Sequence, residues 1–220
     1  MGSGSGRDTR ERLVITAEEL FATRGIDAVS VRDITEAAGA NTAAINYHFG
    51  SKRGLIEAIV ASRAVALGRR RAELLDELEL VYGEEPPPRA VIRAMVLSTA
   101  ELAVGAASGR YYVAFLAALG DHPELMPVLD AFEPSTERYL RALARATPEL
   151  PHEVRVLRFA VAKDVVNRVL GRADGPVPMW VERHGVTFAL DEAVECVVDI
   201  LVGIFGAPVS LRVATTTATR

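Results

Sequence analysis

The sequence predicts an all-α fold in two parts: an N-terminal three-helix domain containing a helix-turn-helix, and a larger helical domain joined to it by one long helix. Two observations support this prediction. Apolar residues recur three and four positions apart in successive segments, and no segment alternates apolar and polar residues as a half-buried strand does. Glycine and proline divide these segments into units of helical length. The 220 residues, half of them apolar, are enough for a sizeable core.

The composition narrows the classes of protein that the chain can belong to. The single cysteine, Cys196, excludes an internal disulfide, and no apolar run approaches the roughly 18 residues of a membrane span. We therefore expect a cytoplasmic protein. Residues 1–7 are predicted to be a flexible leader and residues 208–220 a flexible tail.

The first predicted helix covers residues 8–24. Its apolar stripe includes Leu13 and Phe21, and Gly25 follows as a C-terminal stop. Ser30 then begins a second helix, and Asp33 stands three residues later, as in a capping box. We expect these two helices to form a small core with the helix that follows them.

A third, very short helix is predicted from Thr42 to His48, after a turn that begins at Gly39. Two short helices joined by a tight turn indicate a helix-turn-helix. Ile45 and Phe49 are four residues apart and can share a buried face, so the remaining side chains point outward. These outward residues are Thr42, Ala43, Asn46, Tyr47 and His48.

Small and hydrogen-bonding side chains on one exposed helical face suit the major groove of DNA, where Asn can pair with adenine. Ser51 can cap the next helix, which places free backbone N–H groups and the Lys52 ammonium together, as in a phosphate site. The other interpretation is an ordinary helical corner with exposed Tyr47 and His48. Charge argues mildly against DNA binding, because residues 1–60 hold seven Lys or Arg against eight Asp or Glu.

The run SVRDITEAAGANTAAINYHFGSKRGLIEAI at residues 30–59 resembles the DNA-binding domain of the TetR (tetracycline-repressor) family of transcription regulators. This resemblance implies a DNA-binding domain over residues 8–60. It also implies that Ser30, Arg32 and Lys52 contact the DNA backbone, while the exposed residues of the short helix read base edges. Asn46 and Thr42 depart from the commonest family pattern, so the operator sequence stays open.

The rest of the chain is predicted to be helical. A helix over residues 52–82 is followed by the break GEEPPP at 83–88, which cannot continue a helix. Five helices are then predicted, over residues 89–107, 111–119, 124–146, 152–171 and 191–205, with a loop at 172–188. We interpret the run Arg69-Arg70-Arg71 on the long helix as a solvated patch.

The last two helices indicate self-association. In the helix at 191–205, apolar residues cover about two-thirds of the circumference, which is more than the ~100° stripe of a one-sided surface helix. The preceding helix carries two separate apolar rows. Residues 61–207 are therefore predicted to form a dimerisation domain whose last two helices pair with a second copy, giving a homodimer with a four-helix interface.

The family resemblance also implies a small-molecule effector in residues 61–207. A mainly apolar lining with a few polar groups is typical of such sites. The candidate lining residues are Met95, Thr99, Tyr112, Phe115, Met126, Phe132, Phe159, Lys163, Asn167 and Trp180. Each of them can equally be a core residue, and Lys163 and Asn167 can lie on an exposed strip.

No enzyme motif, cofactor fingerprint or metal-ligand spacing is present in the sequence. The predicted function is a DNA-binding transcriptional repressor that a mainly apolar ligand releases from a palindromic operator, with no cofactor. Three alternatives stay open: an activator, a helical sensing protein whose DNA module has drifted, and an all-helical enzyme that uses Lys163 as a base.

Overall fold

The computed structural model describes residues 3–105, 108–171 and 183–209. Within these ranges the fold is entirely helical, which confirms the predicted class. The elements are α1 (Ser3–Arg24), α2 (Val31–Ala37), α3 (Ala43–Phe49), α4 (Lys52–Tyr82), α5 (Pro88–Gly105), α6 (Gly109–Leu119), a 3₁₀ helix (Pro123–Phe132), α7 (Glu133–Ala146), α8 (His152–Leu170) and α9 (Leu190–Gly206). No helix in the described part of the chain is long and apolar enough to cross a membrane.

One apolar core holds α1 to α4 together and continues into the C-terminal part. Leu13, Ile34 and Ile45 are fully buried within it, as predicted for the three-helix domain. Phe115 and Leu119 of α6 belong to the same core. The division at residue 60 stays a prediction, and the packing runs across it without a break.

A second core lies between α5, α7, α8 and α9. Its buried residues include Met95, Tyr139, Phe159, Val166 and Val198. The helix α4 contributes to both cores, because its first half packs with α1 and its second half packs with α5 and α7. A displacement of α7 or α5 can therefore reach the N-terminal helices through α4.

The long helix α4 has the predicted bounds. The Ser51 hydroxyl accepts a hydrogen bond from the Gly54 N–H at 3.0 Å and begins the helix, as predicted. Near its other end, Arg138 and Arg145 of α7 form ion pairs with α4, the first with Asp76 at 2.7 Å and the second with Glu79 at 3.1 Å.

Two other helix bounds were predicted wrongly. The helix α1 begins at Ser3, five residues before the predicted start and inside the range expected to be a leader, because glycine lowers helix propensity without forbidding helical dihedrals. The segment predicted as one helix over 124–146 is a 3₁₀ helix followed by α7. Pro127 lacks an N–H and opposes an α-helix in the first part, whereas Pro134 is tolerated in the first turn of α7.

Candidate DNA-binding surface and ligand cavity

The short helix α3 presents the exposed face that the sequence predicts. Ile45 is fully buried, while Tyr47 is 84% exposed. Thr42, Ala43 and Asn46 are exposed as well. His48 is only partly buried and packs edge-on against the Tyr47 ring, with 4.8 Å between the ring centroids. One apolar anchor thus holds a helix whose other side carries hydrogen-bonding and aromatic groups.

Local geometry fixes the start and the tilt of α3. Gly39 has φ +61°, a left-handed conformation that favours glycine in the turn between α2 and α3. The Asn41 side-chain oxygen accepts a hydrogen bond from the Ala43 N–H at 3.0 Å, which forms an Asx turn directly before the helix. Gly54 of α4 lies so close to α3 that a Cβ there would come within 2.0 Å of the Phe49 carbonyl oxygen. Neither Asn41 nor Gly54 was predicted to position α3, because helical periodicity does not show these contacts.

The start of α2 forms the predicted capping box. The Ser30 N–H donates to the Asp33 carboxylate at 2.8 Å, and the Asp33 N–H donates to the Ser30 hydroxyl at 3.2 Å. The Ser30 hydroxyl, at 2.5 Å, and the Ser30 N–H both donate to the Asp33 carboxylate, and they lower the pKa of Asp33. Arg32 is exposed beside this box. The proposed phosphate contacts of Ser30 and Arg32 stay predictions, and Arg32 has the freer side chain.

Lys52, the other predicted phosphate contact, points into the N-terminal domain. Its ammonium donates to the Ile26 carbonyl oxygen at 2.5 Å and lies 5.5 Å from the centroid of the Phe21 ring. The side chain therefore joins α4 to the end of α1 and the segment after it. A contact with a DNA phosphate remains a prediction for Lys52 and would require this side chain to turn outward.

We expect Lys52→Ala to lower the free energy of unfolding by about 1.5 to 3 kcal/mol, the usual contribution of a hydrogen bond to a charged group. Urea denaturation of the variant measures this value. Arg24→Ala is the control, because Arg24 is exposed at the end of α1 and its loss is expected to change stability by less than about 0.5 kcal/mol. Equal stability of both variants would contradict an internal role for Lys52.

A cavity of about 370 Å³ opens among α6, the 3₁₀ helix, α7 and α8. Five of the residues predicted to bind a ligand line it: Met126, Phe132, Phe159, Lys163 and Asn167. The other lining residues are Arg71, Leu116, Gly120, Leu129, Glu133, Thr136, Leu140, Val156, Ala160 and Asp164. The volume lies within the range of small-molecule sites.

Four of the other predicted ligand residues lie elsewhere. Met95, Thr99, Tyr112 and Phe115 are buried in the packed cores and are not among the residues that line this cavity. The Tyr112 hydroxyl donates to the Val60 carbonyl oxygen at 2.9 Å. Trp180 lies outside the described residues. The ligand contacts of all ten residues stay predictions, and the geometry favours the five that line the cavity.

The cavity carries two cationic side chains. Arg71 is 8% exposed, so its interpretation as part of a solvated patch was wrong. Consecutive helical residues are about 100° apart, which allows Arg69 to be 79% exposed while Arg71 turns inward. Burial lowers the pKa of Arg71. Burial, assisted by Arg71 and partly opposed by Glu133, lowers the pKa of Lys163 to about 8.

The helix α6 connects the cavity with the N-terminal domain. Leu116 lines the cavity, and the adjacent Phe115 stacks on Phe21 of α1 with 6.0 Å between ring centroids. At the start of α6, the Ser108 hydroxyl accepts from Arg63 of α4 at 2.5 Å, and the same guanidinium pairs with Glu18 of α1 at 3.2 Å. Burial raises the pKa of Glu18, and Arg63 opposes that rise. The three helices α1, α4 and α6 are therefore linked by a buried polar contact.

Apolar side chains remain exposed on α8 and α9. Leu157 and Val161 of α8 are 60% and 44% exposed, and Ile200 of α9 is 57% exposed. On the other side of α9, Arg89 pairs with Glu195 at 2.8 Å and also with Asp199, which ties the helix to α5. The exposed apolar face is the surface that the sequence predicts for dimerisation.

Comparison with known proteins places the N-terminal helices in a known family. The family model for bacterial regulatory proteins of the tetR family matches residues 13–59. CecR of Shigella flexneri, an HTH-type transcriptional dual regulator, is 34% identical over 92 residues, which are 42% of this chain and 41% of CecR. The N-terminal part of the chain is therefore similar to TetR-family regulators. All eight predicted DNA contacts lie within or beside the matched region.

Two further similarities, one in sequence and one in fold, involve proteins named KstR2. The transcriptional repressor KstR2 of Rhodococcus jostii (strain RHA1) is 43% identical over 56 residues, or 26% of each chain. The structure of the ketosteroid transcriptional regulator KstR2 of Mycobacterium tuberculosis is 18% identical, has a TM-score of 0.56 and covers 90% of this chain and 93% of that one. The sequence matches span less than half of the length of either curated relative. The similarity in fold to the Mycobacterium tuberculosis structure covers 90% of this chain.

TetR-family regulators bind DNA operators and small effectors and act as dimers. They are not enzymes, which agrees with the predicted absence of catalysis.

Proposed function

We propose that this chain is a homodimeric, cytoplasmic transcriptional repressor that a small ligand releases from a palindromic operator. The observation that carries the DNA-binding part is α3, where buried Ile45 anchors a helix that exposes Asn46 and Tyr47. Such a helix can enter the major groove, where an Asn amide pairs bidentately with adenine. Thr42, Ala43 and His48 complete the base-reading surface, and Ser30, Arg32 and Lys52 supply backbone contacts.

Dimerisation through α8 and α9 would bring two copies of α3 onto successive major grooves. Half-sites of a dimeric helix-turn-helix protein are separated by one helical turn, about 34 to 36 Å. The exposed residues Leu157, Val161 and Ile200 support this assignment of the interface. Two-fold symmetry of the protein then requires an inverted repeat in the operator.

Release by a ligand would use α6. A ligand that displaces Leu116 acts on the helix that stacks Phe115 against Phe21 of α1. Movement of α1 carries α2 and α3 with it, because these helices share one core. The mechanism requires that the ligand bind the two conformations with different affinity. We also propose that residues 61–207 bind the ligand and form the dimer, and that residues 8–60 bind DNA.

An activator is the second candidate, since CecR is named a dual regulator. A repressor and an activator use the same contacts to DNA and differ in where the operator lies relative to the promoter. A reporter gene with the operator placed over the promoter, and then upstream of it, separates them: repression in the first arrangement without activation in the second supports the repressor.

The first test is selection from a random double-stranded DNA pool by the purified protein, followed by sequencing of the retained molecules. We expect enrichment of an inverted repeat whose half-sites are centred about 10 base pairs apart, or a multiple of this spacing. Absence of any enriched sequence at low salt would contradict the proposal, because low salt strengthens every phosphate contact.

A further inference from the structure

Two cations face the cavity, and within the described residues neither has a carboxylate partner. The Arg71 Nε has no hydrogen-bond partner, and the only hydrogen bond that its guanidinium forms in the described part of the chain is to the Ser135 hydroxyl at 3.2 Å. The rest of the group lies on the Phe132 ring, 5.4 Å from the centroid. Lys163 lies 5.8 Å from the centroid of the Phe159 ring. Neither cation forms an ion pair within the described residues.

The carboxylates around the cavity do not neutralise these cations. Asp164 is paired with Arg168 on the same helix at 2.9 Å. Glu133 is exposed at the rim, and among the residues described no ion pair within 4.0 Å joins it to Arg71 or Lys163. Glu133 still offsets part of the positive potential at Lys163. The side chains that line the cavity therefore carry a net charge close to one positive charge, which matches a monoanion better than a doubly charged phosphate.

Retaining an unpaired buried cation costs stability, since a charge loses its hydration on burial. The cost is removed when an anion enters, and an arginine guanidinium can bind a carboxylate through two parallel hydrogen bonds. The apolar residues beside it, including Leu129, Leu140 and Val156, can cover a hydrocarbon body. The cavity thus combines an anion site with an apolar site.

We propose that the effector is an amphipathic monocarboxylate, whose acid group binds Arg71 and Lys163 and whose hydrocarbon body fills the apolar part of the cavity. This inference rests on the proposed function, in that the cavity is taken to be the effector site. It differs from the mainly apolar ligand predicted from the sequence in requiring a negative charge. Arg71 and Lys163 then determine the ligand class.

Calorimetric titration of the full chain without DNA tests the proposal. The probes are three pairs, each of which consists of a carboxylic acid and the primary amide with the same hydrocarbon body. The body is linear in the first pair, which is decanoate and decanamide, branched in the second and a fused aromatic system in the third. We expect at least one acid to bind about tenfold or more tightly than its amide, because the amide lacks the charge-assisted hydrogen bonds. Lys163→Met and Arg71→Met should each reduce that preference strongly, whereas Lys163→Arg should retain most of it.

Arg69→Met is the matched control, since Arg69 is 79% exposed on the same helix as Arg71. Its acid preference should equal that of the unmodified chain. Thermal unfolding of each variant establishes that it is folded, and Lys163→Met alone can carry the test if Arg71→Met fails to fold. Failure of every acid to bind, equal binding of acid and amide, or a preference that survives both neutral variants would overturn the proposal. Because none of these titrations contains DNA, their results are independent of operator recognition.

Discussion

Asn46→Ala and Tyr47→Ala are each expected to abolish selective operator binding and to leave the fold intact. Both side chains are exposed on α3, and Tyr47 is 84% exposed, so neither contributes much to the core. Loss of a bidentate base contact costs about 1 to 3 kcal/mol. A dimer loses two contacts, so the free energy of operator binding by Asn46→Ala should weaken by about 2 to 6 kcal/mol, or roughly 30-fold to 20,000-fold in affinity.

The measurement is fluorescence anisotropy with the selected operator and with a scrambled duplex of the same length. Binding to the scrambled duplex should change little, because phosphate contacts carry no sequence information. Tyr82→Ala is the matched control, since this exposed tyrosine lies at the far end of α4, about 45 Å along the helix axis from Lys52. If both α3 variants kept the operator affinity of the unmodified chain, the residues that contact the bases would have to lie outside α3.

The bounds of α4 could be predicted because both of its ends are marked by local chemistry. The Ser51 hydroxyl caps the first turn, and three prolines follow the last turn. The start of α2 has a similar local signal in Ser30 and Asp33. The break between the 3₁₀ helix and α7 has no comparable signal. Pro127 opposes an α-helix and Pro134 is tolerated in one only because of where each proline falls in the turns that form, and the sequence does not show these positions.

The cavity lining could be predicted only in part, for a geometric reason. Helical periodicity shows which residues share a face of their own helix, but it does not show what that face contacts. Tyr112 and Phe132 are both buried aromatic residues, yet the first bonds to α4 and only the second lines the cavity. Lys52 gives the same lesson, since its place beside a helix N-terminus suggested a phosphate contact while its ammonium bonds to Ile26.

Ile200→Glu is expected to convert the dimer into a monomer. Ile200 is 57% exposed on α9, and burial of that remaining exposed fraction contributes about 1 to 2 kcal/mol, roughly half of the value for full burial. The substitution occurs in both protomers, which removes about 2 to 4 kcal/mol, and it adds an unpaired carboxylate near Asp199. The dissociation constant of the dimer should rise by at least about 100-fold. Sedimentation velocity at micromolar concentration measures the change.

Leu80→Glu is the control for the added charge, because Leu80 is 88% exposed on α4 and lies outside the proposed interface. That variant should stay dimeric. Ile200→Ala should weaken the dimer less than Ile200→Glu, since alanine removes apolar area without adding a charge. A dimer that persists in both Ile200 variants would place the interface on another surface, whereas an unmodified chain that is monomeric at micromolar concentration would contradict dimerisation itself.

Operator binding gives an independent measure of the same interface. A monomer can engage one half-site only, so the Ile200→Glu protein should lose the advantage of binding two half-sites together while its α3 surface stays intact. Its affinity for a single half-site should therefore equal that of the unmodified chain, whereas its affinity for the inverted repeat should fall to the same value. Asn46→Ala predicts the opposite pattern, with the dimer retained and both affinities reduced. The two substitutions together separate base reading from assembly.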